Sequence, residues 1–442
     1  MNPSSAIGPE DLAEFRSHFA QNPIGQIAAR AVSKTSVEQV CYVTPAAARM
    51  NHKFSIDIPT LPAANQNSSG RCWIFAALNL LREKIARDLD LEEFELSQSY
   101  ISFYDHLEKA NTFLEHILET AGEPLDQRYV TMLLTAPLGD GGWWEYFVGL
   151  CKKYGVCPKE AMPETYQSGH SETMNLLLNR QLRRDALTLR QAAAAGESLP
   201  QLRERKKEML NRCYRILSIC LGTPPQQFDF EYVDRRHRYH LEERLTPLGF
   251  YDQYLGQELE QIVSILNAPS PSIPFYQVYY TQGEESIFGA YQSRRLNLPM
   301  EEFKAAVLRQ LEAGEPVWFV CDCDYSGSME EGIWDPALYN CEELFQLDWE
   351  MDKGALLEYR QCTLNHAMLL TGVNLRDGTP TQWKIQNSWG EEKGRKGYFT
   401  MSDAWFDRYV FTASIHRRYL TQRQNELLEQ APVVLPPWNV LA

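Results

Sequence analysis

The sequence lacks several features that would place it in a common class of protein. It contains no run of about 18 apolar residues, the length that a membrane-spanning helix requires. Its N-terminal segment carries Glu10, Asp11 and Glu14 where a secretory signal would be apolar. The ten cysteines include no Cys-x-x-Cys pair, and neither a phosphate-binding glycine motif nor a Gly-x-Ser-x-Gly motif is present. We therefore expect a cytoplasmic protein with reduced thiols, no membrane contact, and no metal or organic cofactor.

An excess of basic residues is also missing, because 43 lysines and arginines face 58 aspartates and glutamates, a net charge of −15. A net-acidic surface opposes binding to nucleic acid, so we do not expect nucleic acid as a partner. Residues 180–245 depart from this average, with 14 basic and 9 acidic residues. We interpret this stretch as a solvated, salt-bridged surface, and a nucleic-acid-binding oligomeric scaffold stays the alternative from another functional class.

The order of the elements predicts an α+β fold, in a chain long enough for about three domains. Apolar residues spaced three or four apart predict one inserted helix from Leu178 to Leu189 and a second from Leu202 to Cys220. β-rich stretches return after Pro274. We therefore divide the chain into an N-terminal arm (1–50), a helical half (51–172), a helical insertion (173–270), a β-rich half (271–430) and a proline-rich C-terminal arm (431–442).

One cysteine has the setting of a nucleophile. A polar loop leads into Cys72, which opens a segment that is almost wholly apolar and becomes amphipathic only from Arg82. This pattern predicts a buried helix with Cys72 at its N-terminus, where the helix dipole stabilises a thiolate. Gln66 lies six residues earlier, so its amide can converge with the backbone N–H of Cys72. Two such donors would form an oxyanion hole for acyl transfer.

A partner base and a group to orient it lie far along the chain. His366 opens an apolar strand and Asn387 closes the next one, with an Asp-Gly turn between them. This hairpin would bring the two side chains together, and Trp389 would shield their hydrogen bond from water. We predict that Cys72, His366 and Asn387 are the catalytic residues, and that pairing with the imidazole gives the thiol an abnormally low pKa.

These residues and their order resemble the papain-like cysteine peptidases. More narrowly, the chain from about residue 50 to the C-terminus resembles bleomycin hydrolase and the bacterial aminopeptidase C. The resemblance rests on Gly70-Arg71-Cys72-Trp73-Ile74-Phe75-Ala76-Ala77-Leu78-Asn79, Glu95-Leu96-Ser97-Gln98-Ser99-Tyr100, Phe103-Tyr104-Asp105-His106-Leu107-Glu108-Lys109-Ala110-Asn111, Asp140-Gly141-Gly142-Trp143, Leu364-Asn365-His366-Ala367-Met368 and Asn387-Ser388-Trp389-Gly390. Ordinary papain-like enzymes usually have serine where this chain has Arg71, and they lack the helical insertion and the tail.

The resemblance implies a papain-like fold with a helical left half and a β-barrel right half, extended by the helical insertion and the C-terminal arm. It implies a cysteine aminopeptidase that shortens peptides with a free N-terminus and assembles as a homohexamer. It also assigns substrate binding to Gly141, Gly142, Trp389 and Ala442. The carboxylate of Ala442 would receive the α-amino group of the substrate.

The C-terminus departs from the family pattern. Members commonly end in Trp-Asp-Pro-Met-Gly-Ala-Leu-Ala, whereas this chain ends in Trp438-Asn439-Val440-Leu441-Ala442. The arm is therefore shorter by about three residues, or roughly 10 Å. Either the stretch around Trp438 is re-routed, or the carboxylate stops further from Cys72 and leaves the cleft open. An open cleft would make the protein a cysteine endopeptidase. A Cys-His acyltransferase is a further alternative, in which aspartate more often orients the histidine.

Overall fold

Two halves of the chain meet at the helix that begins with Cys72. The computed structural model describes residues 6–290 and 292–441, so Ala442 lies outside the described residues. Side chains of Asn22 and Ser36 cap two helices of the N-terminal arm by accepting hydrogen bonds from backbone N–H groups. The arm and the strand after it comprise α1 (Pro9–Ala20), α2 (Pro23–Val32), α3 (Val37–Cys41), α4 (Thr44–Arg49) and β1 (Ile56–Asp57).

The helical half is built around a buried central helix. Its elements are α5 (Cys72–Asp88), α6 (Gln98–Glu119), α7 (Arg128–Thr135), α8 (Trp144–Tyr154), a 3-10 turn at Lys159–Ala161 and α9 (Tyr166–Gly169). The first two turns of α5 are buried, as its apolar sequence predicts. The helix becomes amphipathic just after Arg82, where Arg87 is exposed and Ile85 is buried, but Arg82 itself is only 2% exposed. Its Nη2 donates to the carbonyl groups of Leu61 and Pro62, and its Nε lies 3.6 Å from the Glu83 carboxylate.

The inserted lobe contains the two long helices that the apolar spacing predicts. Leu178, Leu182 and Leu189 are buried in the same core as α5 and α6, so the lobe packs directly on the helical half. The elements are α10 (Glu172–Ala194), α11 (Leu199–Leu221), β2 (Phe228–Val233), β3 (Tyr239–Leu245), α12 (Pro247–Tyr254) and a 3-10 turn at Gly256–Gln261. Several basic side chains of the lobe form ion pairs, namely Arg203 and Lys206 with Glu115, Arg205 with Glu197, and Arg212 with Asp185. These pairs support the interpretation of a salt-bridged surface.

The second half consists of one mixed sheet with helices packed on it. Its strands are β4 (Ile262–Leu266), β5 (Val278–Thr281), β6 (Arg295–Asn297), β7 (Val317–Cys321), β8 (Gly327–Ser328), β9 (Ile333–Trp334), β10 (His366–Arg376), β11 (Thr379–Gln386), β12 (Tyr398–Ser402), β13 (Val410–His416) and β14 (Val433–Leu435). Its helices are α13 (Met300–Glu312), α14 (Cys341–Phe345), α15 (Lys353–Glu358), α16 (Asp403–Tyr409), a 3-10 turn at Arg417–Tyr419 and α17 (Gln422–Leu428).

The sheet order is β14-β5-β6-β4-β13-β7-β10-β11-β12-β9-β8, and β1 pairs with β10. β4 lies within residues 173–270, and the sheet therefore begins before the predicted boundary at residue 271. The interface between the halves joins apolar side chains of α5 to Trp318 of β7 and to Ala367 and Leu369 of β10. Among the described residues, no helix has both the length and the apolar character of a membrane span.

The β10–β11 hairpin places two candidate residues at its open end. Its turn consists of Asp377 and Gly378, with φ of +49° and +78°, the combination that a two-residue hairpin of matching twist requires. The strands pair in antiparallel register, so the start of β10 and the end of β11 are neighbours. His366 and Asn387 therefore meet at the same end, as the sequence predicts.

The C-terminal arm contacts both halves. β14 runs parallel to β5 at the edge of the sheet. Beyond it, the Arg360 guanidinium donates to the carbonyl oxygens of Trp438 at 2.7 Å and Asn439 at 2.6 Å. The guanidinium of Arg128, at the start of α7, lies 4.1 Å from the centre of the Trp438 ring. Leu441 is 3% exposed and packs into the core of the sheet half.

Candidate active site

The loop before α5 is held by parts of the chain that are remote in sequence. The backbone N–H of Gln66 donates to the carbonyl of Ser388 at 2.8 Å. The N–H of Gly70 donates to Oδ2 of Asp140, also at 2.8 Å. The position of Cys72, at the end of this loop, is therefore set by tertiary contacts.

The Asp140 carboxylate is the centre of a buried hydrogen-bond network. Besides Gly70, it accepts from Ser171 at 2.5 Å, Asn175 at 2.6 Å and His106 Nε2 at 3.2 Å. Burial acts to raise the pKa of Asp140, but the bonds from His106, Asn175 and Ser171 hold it well below its usual range. Burial acts to lower the pKa of His106, and the bond to Asp140 raises it above the ordinary value. The two residues thus form a buried ion pair beside the loop.

A second buried ion pair adjoins the same loop. Arg71 is 1% exposed, and its guanidinium donates to the Glu164 carboxylate through two bonds of 3.0 and 2.6 Å. Burial acts to raise the pKa of Glu164, but the Arg71 guanidinium and the hydroxyls of Ser168 and Ser99 hold it below its ordinary value. Sequence reasoning gave no role to Asp140 or Glu164. Asp140 lies in one of the segments that resemble the family, whereas no motif in the sequence includes Glu164.

Cys72 is the first residue of α5, as predicted, and is 8% exposed. The backbone N–H of Ala367 points to its Sγ at 3.5 Å. Burial raises the pKa of the Cys72 thiol, and the N–H groups of Ala367, Trp73 and Cys72 act to lower it. The surroundings of the thiol alone therefore do not give the abnormally low pKa expected from the sequence, which depends on pairing with an imidazolium.

His366 and Asn387 are brought together. His366 Nε2 lies 2.9 Å from Oδ1 of Asn387, and the Trp389 ring stacks on the imidazole with ring centres 4.7 Å apart. Because the Asn387 oxygen only accepts, Nε2 carries the proton and Nδ1 is the free base in the neutral ring. Burial lowers the pKa of His366 to about 4, against the bond to Asn387.

The Cys72–His366 pair is neutral unless both groups ionise together. Burial disfavours the thiolate alone and the imidazolium alone, as the two pKa directions show. Transfer of one proton from sulfur to the ring creates both charges side by side, where each stabilises the other. The three N–H groups around the sulfur and the Asn387 oxygen at the ring favour that charged state. The low thiol pKa of the pair stays a prediction.

Gln66 lies in the same cleft as Cys72 and is 6% exposed. Its amide nitrogen donates to the Ser69 carbonyl at 2.5 Å, and its oxygen accepts from the Ser388 hydroxyl at 2.6 Å. These two bonds fix which end of the amide is the donor. One N–H donates to Ser69, which leaves the second N–H for a substrate oxygen.

The cleft has a volume of about 760 Å³, and its lining includes Cys72, Gln66, His366, Gly141 and Gly142. Two of the predicted substrate-binding residues differ in their surroundings. A Cβ at Gly142 would lie 2.6 Å from the ring of Trp73, whereas a Cβ at Gly141 would meet nothing within 4 Å. Gly142 therefore permits close packing inside the protein, and Gly141 faces open space. Trp389 packs on the imidazole and is absent from the described lining of the cleft.

Comparison with known proteins assigns the family. Residues 6–442 match the Peptidase C1-like family. The chain belongs to this family. It is 37% identical over 439 residues to Aminopeptidase C of Lactobacillus delbrueckii subsp. lactis, covering 99% of this chain and 98% of that relative. It is 40% identical over 430 residues to Aminopeptidase C of Listeria monocytogenes, covering 97% of each. The crystal structure of PepW from Lactobacillus rhamnosis matches with a TM-score of 0.97 and 41% identity over 99% of both chains.

Membership in the peptidase C1-like family confirms three predictions. The chain has the papain-like α+β fold, it is a cysteine peptidase, and the resemblance read from its segments is correct. Cys72, His366 and Gln66 line one cleft, and Asn387 bonds to His366; the roles predicted for these four residues stay predictions. The role predicted for Ala442 falls on a residue outside the described range.

Proposed function

We propose that this protein is a cysteine aminopeptidase that removes N-terminal residues from peptides. One observation carries the assignment of its chemistry: Cys72, at the start of α5, shares a cleft with His366, and His366 bonds to Asn387 at 2.9 Å. A helix N-terminus, a base and an orienting amide are the groups that thiolate catalysis needs. The relatives named Aminopeptidase C support exopeptidase action.

Acylation begins when the Cys72 thiolate attacks the carbonyl carbon of the first peptide bond. The carbonyl electron pair moves to oxygen, and the second N–H of Gln66 and the Cys72 N–H stabilise this oxyanion. The C–N bond then breaks, and the His366 imidazolium gives its proton to the leaving amine. Asn387 keeps the ring oriented while its charge changes.

Deacylation regenerates the enzyme. Neutral His366 takes a proton from water, and the resulting hydroxide attacks the thioester that links the substrate to Cys72. The C–S bond breaks, the amino acid leaves as a carboxylic acid that gives its proton to solvent, and the Cys72 thiolate is again paired with the imidazolium.

The C-terminal arm restricts the reaction to peptides with a free N-terminus. Trp438 contacts Arg128 of the helical half and Arg360 of the sheet half, so the arm bridges the two halves. As the family resemblance implies, the carboxylate of Ala442, which lies outside the described residues, receives the substrate's α-ammonium group. A carboxylate bound to the α-ammonium group would exclude peptides whose chain continues on the N-terminal side of the residue that is removed.

A comparison of peptides with free and acetylated N-termini tests this specificity. The wild type should hydrolyse the free peptides, and deletion of Leu441 and Ala442 should reduce the preference and admit the acetylated ones. Equal turnover of the two forms by the wild type would contradict the aminopeptidase assignment and favour the endopeptidase alternative.

The nucleophile has a separate test. Iodoacetamide at about pH 5.5 should react in a fast phase that Cys72→Ala abolishes, because a free thiol is almost fully protonated at that pH. Cys323→Ala is a matched control, since Cys323 is 8% exposed, as Cys72 is. A fast phase that survives Cys72→Ala would rule out Cys72 as the activated thiol.

A cytoplasmic homohexamer is the assembly that we propose, with the N-terminal arm as part of the contact. Phe15, Phe19, Ile24 and Ile27 of α1 and α2 are 55, 52, 55 and 59% exposed, and adjacent exposed apolar side chains are typical of interfaces. Sedimentation of the wild type should give six times the chain mass, and Phe15→Ser with Phe19→Ser should give smaller species. A monomeric wild type would contradict the proposal.

We also propose that the helical insertion and the two arms are additions to one papain-like catalytic unit.

A further inference from the structure

Residues 138–142, which we call the glycine segment, form part of the wall of the cleft. Three of these five residues are glycines, and the segment belongs to no helix or strand. Glycine loses more backbone freedom on folding than any other residue, so a segment of this composition keeps one shape only where contacts with the rest of the protein hold it. The shape of this wall therefore depends on the groups that bond to its backbone.

Two of these groups are neutral side chains. The N–H and the carbonyl of Leu138 both bond to the side-chain amide of Asn179 on α10, each at 3.0 Å. The carbonyl of Asp140 accepts from Nε1 of Trp73 at 2.7 Å, and Trp73 directly follows Cys72 on α5. These bonds fix Leu138 and Asp140, and they leave the carbonyl groups of the glycines between and after them to other donors.

The third group is the ammonium of Lys109 on α6. It donates to the carbonyl of Gly139 at 2.9 Å and to the carbonyl of Gly141 at 2.5 Å, so one charged group joins the positions on either side of Asp140. Hydrogen bonds from a charged donor are stronger than those between neutral groups. Lys109 therefore holds the part of the glycine segment in which the backbone itself has the most freedom.

The donors and the charge of Lys109 are all used within the protein. Its third N–H donates to Oδ2 of Asp105 at 2.6 Å, and the Asp105 side chain is fully buried. The other oxygen of Asp105 accepts from the Ser286 hydroxyl at 3.0 Å. Because an ammonium group has three donors, Lys109 has none left for a substrate. Any effect of Lys109 on a substrate must therefore pass through the glycine segment.

The glycine segment lies next to the nucleophile. It lines the same cleft as Cys72, and Oδ2 of Asp140 accepts from the N–H of Gly70, two residues before Cys72, at 2.8 Å. A Cβ at Gly141 would meet nothing within 4 Å, so a peptide backbone can approach the segment there. A wall that is already ordered lowers the entropy cost of binding such a peptide.

We infer that Lys109 is a positioning residue for the peptide substrate. Its ammonium, through the carbonyls of Gly139 and Gly141, holds the glycine segment in the shape that binds the peptide backbone. The inference rests on the proposed function at Cys72. It assigns to Lys109 an effect on peptide binding and none on the reactivity of the thiol, and the two can be measured separately.

Two variants remove the ammonium group. Lys109→Met leaves Asp105 buried without its ion-pair partner, which is strongly destabilising. Lys109→Met combined with Asp105→Asn removes both charges, and the new amide can still bond to the Ser286 hydroxyl. Lys153→Met is the matched control, since Lys153 also pairs with an acid of α6, Glu108, and is absent from the described lining of the cleft.

Peptide binding is measured by calorimetry in the Cys72→Ala background, with pentaalanine that has a free N-terminus as the ligand. Its small side chains make the affinity report mainly backbone contacts. Loss of the Lys109 ammonium should weaken binding at least about tenfold, because the glycine segment must then become ordered when the peptide binds. Lys153→Met should leave the affinity unchanged.

Thiol reactivity is measured with Cys72 intact. The rate of alkylation by iodoacetamide at about pH 5.5 should stay within about twofold of wild type in the Lys109 variants, because this small reagent has no peptide backbone to be positioned. Alkylation that slows further would overturn the inference, since Lys109 would then act on the catalytic pair or on the whole fold.

The remaining outcomes are also decisive. A smaller loss of pentaalanine affinity, or an equal loss in Lys153→Met, would overturn the role of Lys109. A double variant that does not fold would show that the Lys109–Asp105 pair is needed for folding, and would overturn a role specific to the substrate. A Cys72→Ala protein that binds no peptide would overturn both proposals. Failure of the wild type to hydrolyse free-amine peptides would overturn the proposed function alone, because calorimetry does not depend on turnover.

Discussion

Replacement of Asp140 by asparagine tests whether the buried ion pair holds the catalytic loop. The carboxylate accepts from Gly70 and Ser171 through Oδ2, and from Asn175 and His106 through Oδ1. An asparagine has one acceptor oxygen, so its NH₂ group must face one of these two pairs of donors. The variant keeps the size of the side chain and removes its charge and half of its acceptors.

The expected loss of stability follows from these contacts. Each buried donor left without an acceptor costs about 1–3 kcal/mol, and breaking a buried ion pair on one side costs about 3–5 kcal/mol. We expect a loss of about 3 kcal/mol. For a chain of 442 residues, an unfolding entropy of about 2.1 cal/mol/K per residue converts this to a fall of about 3 °C in the thermal midpoint.

The effect should depend on pH in a defined direction. The pKa of Asp140 is depressed, so its contribution is present above its unfolded pKa of about 4 and is lost as the pH falls through its folded value. The pKa of His106 is raised, so its contribution is complete below its unfolded pKa of about 6.5 and is lost as the pH rises through its folded value. The difference between wild type and Asp140→Asn should therefore be largest between about pH 4 and 6.5.

Two measurements check this reasoning. Differential scanning fluorimetry at pH 6 and pH 9 should show the larger gap in thermal midpoint at pH 6. Because the carboxylate connects Gly70 to His106 and Asn175, the loop beside Cys72 loses part of this support whichever pair faces the NH₂ group, and the rate of thiol alkylation and kcat should fall as well. Asp126→Asn, a change of the same kind at an exposed residue, should alter neither. An Asp140→Asn protein with wild-type midpoint and wild-type alkylation would refute the role of the pair.

Four further changes probe the site. Gln66→Ala should lower kcat by about 10²–10³ with little change in KM, because it removes an oxyanion donor; steady-state kinetics that show less than a tenfold loss would contradict that role. Asn387→Ala should lower kcat at least about tenfold and change the acid limb of its pH profile, whereas an unchanged profile would mean that the amide does not orient His366. Gly142→Ala should lower the thermal midpoint, since its Cβ would lie 2.6 Å from the Trp73 ring at a cost of about 1–3 kcal/mol. Gly141→Ala should instead raise KM at constant stability, and the reverse pattern would mean that the two glycines were misassigned.

The parts of the site that sequence could predict are those with a local or periodic signal. The apolar run after Cys72 predicted a buried helix, and strand alternation around an Asp-Gly turn predicted the hairpin that joins His366 to Asn387. In both cases the signal lies within a few residues of the side chain that it places. The family resemblance then joined these separate segments into one cleft.

The parts that sequence could not predict depend on partners remote in the chain. Arg82 looked like the start of a solvated face, but it is buried because the carbonyl groups of Leu61 and Pro62 accept from it. The pairs of Arg71 with Glu164 and of His106 with Asp140 likewise join residues on different elements. A charge with a remote partner has the same local sequence as a charge in water, so only the folded structure distinguishes them.

The distribution of charge around the cleft explains why an amide suits the position of Asn387. Full charges next to the loop are paired within the protein, Arg71 with Glu164 and His106 with Asp140, and they hold the backbone in place. The predicted catalytic pair, Cys72 and His366, has a neutral partner, Asn387, at the ring. A carboxylate at that position would stabilise the imidazolium more strongly. It would therefore oppose transfer of the proton to the leaving amine, the step that leaves His366 as the neutral base for water. A neutral amide orients the ring in both states, so the proton can leave His366 during acylation and come back during deacylation.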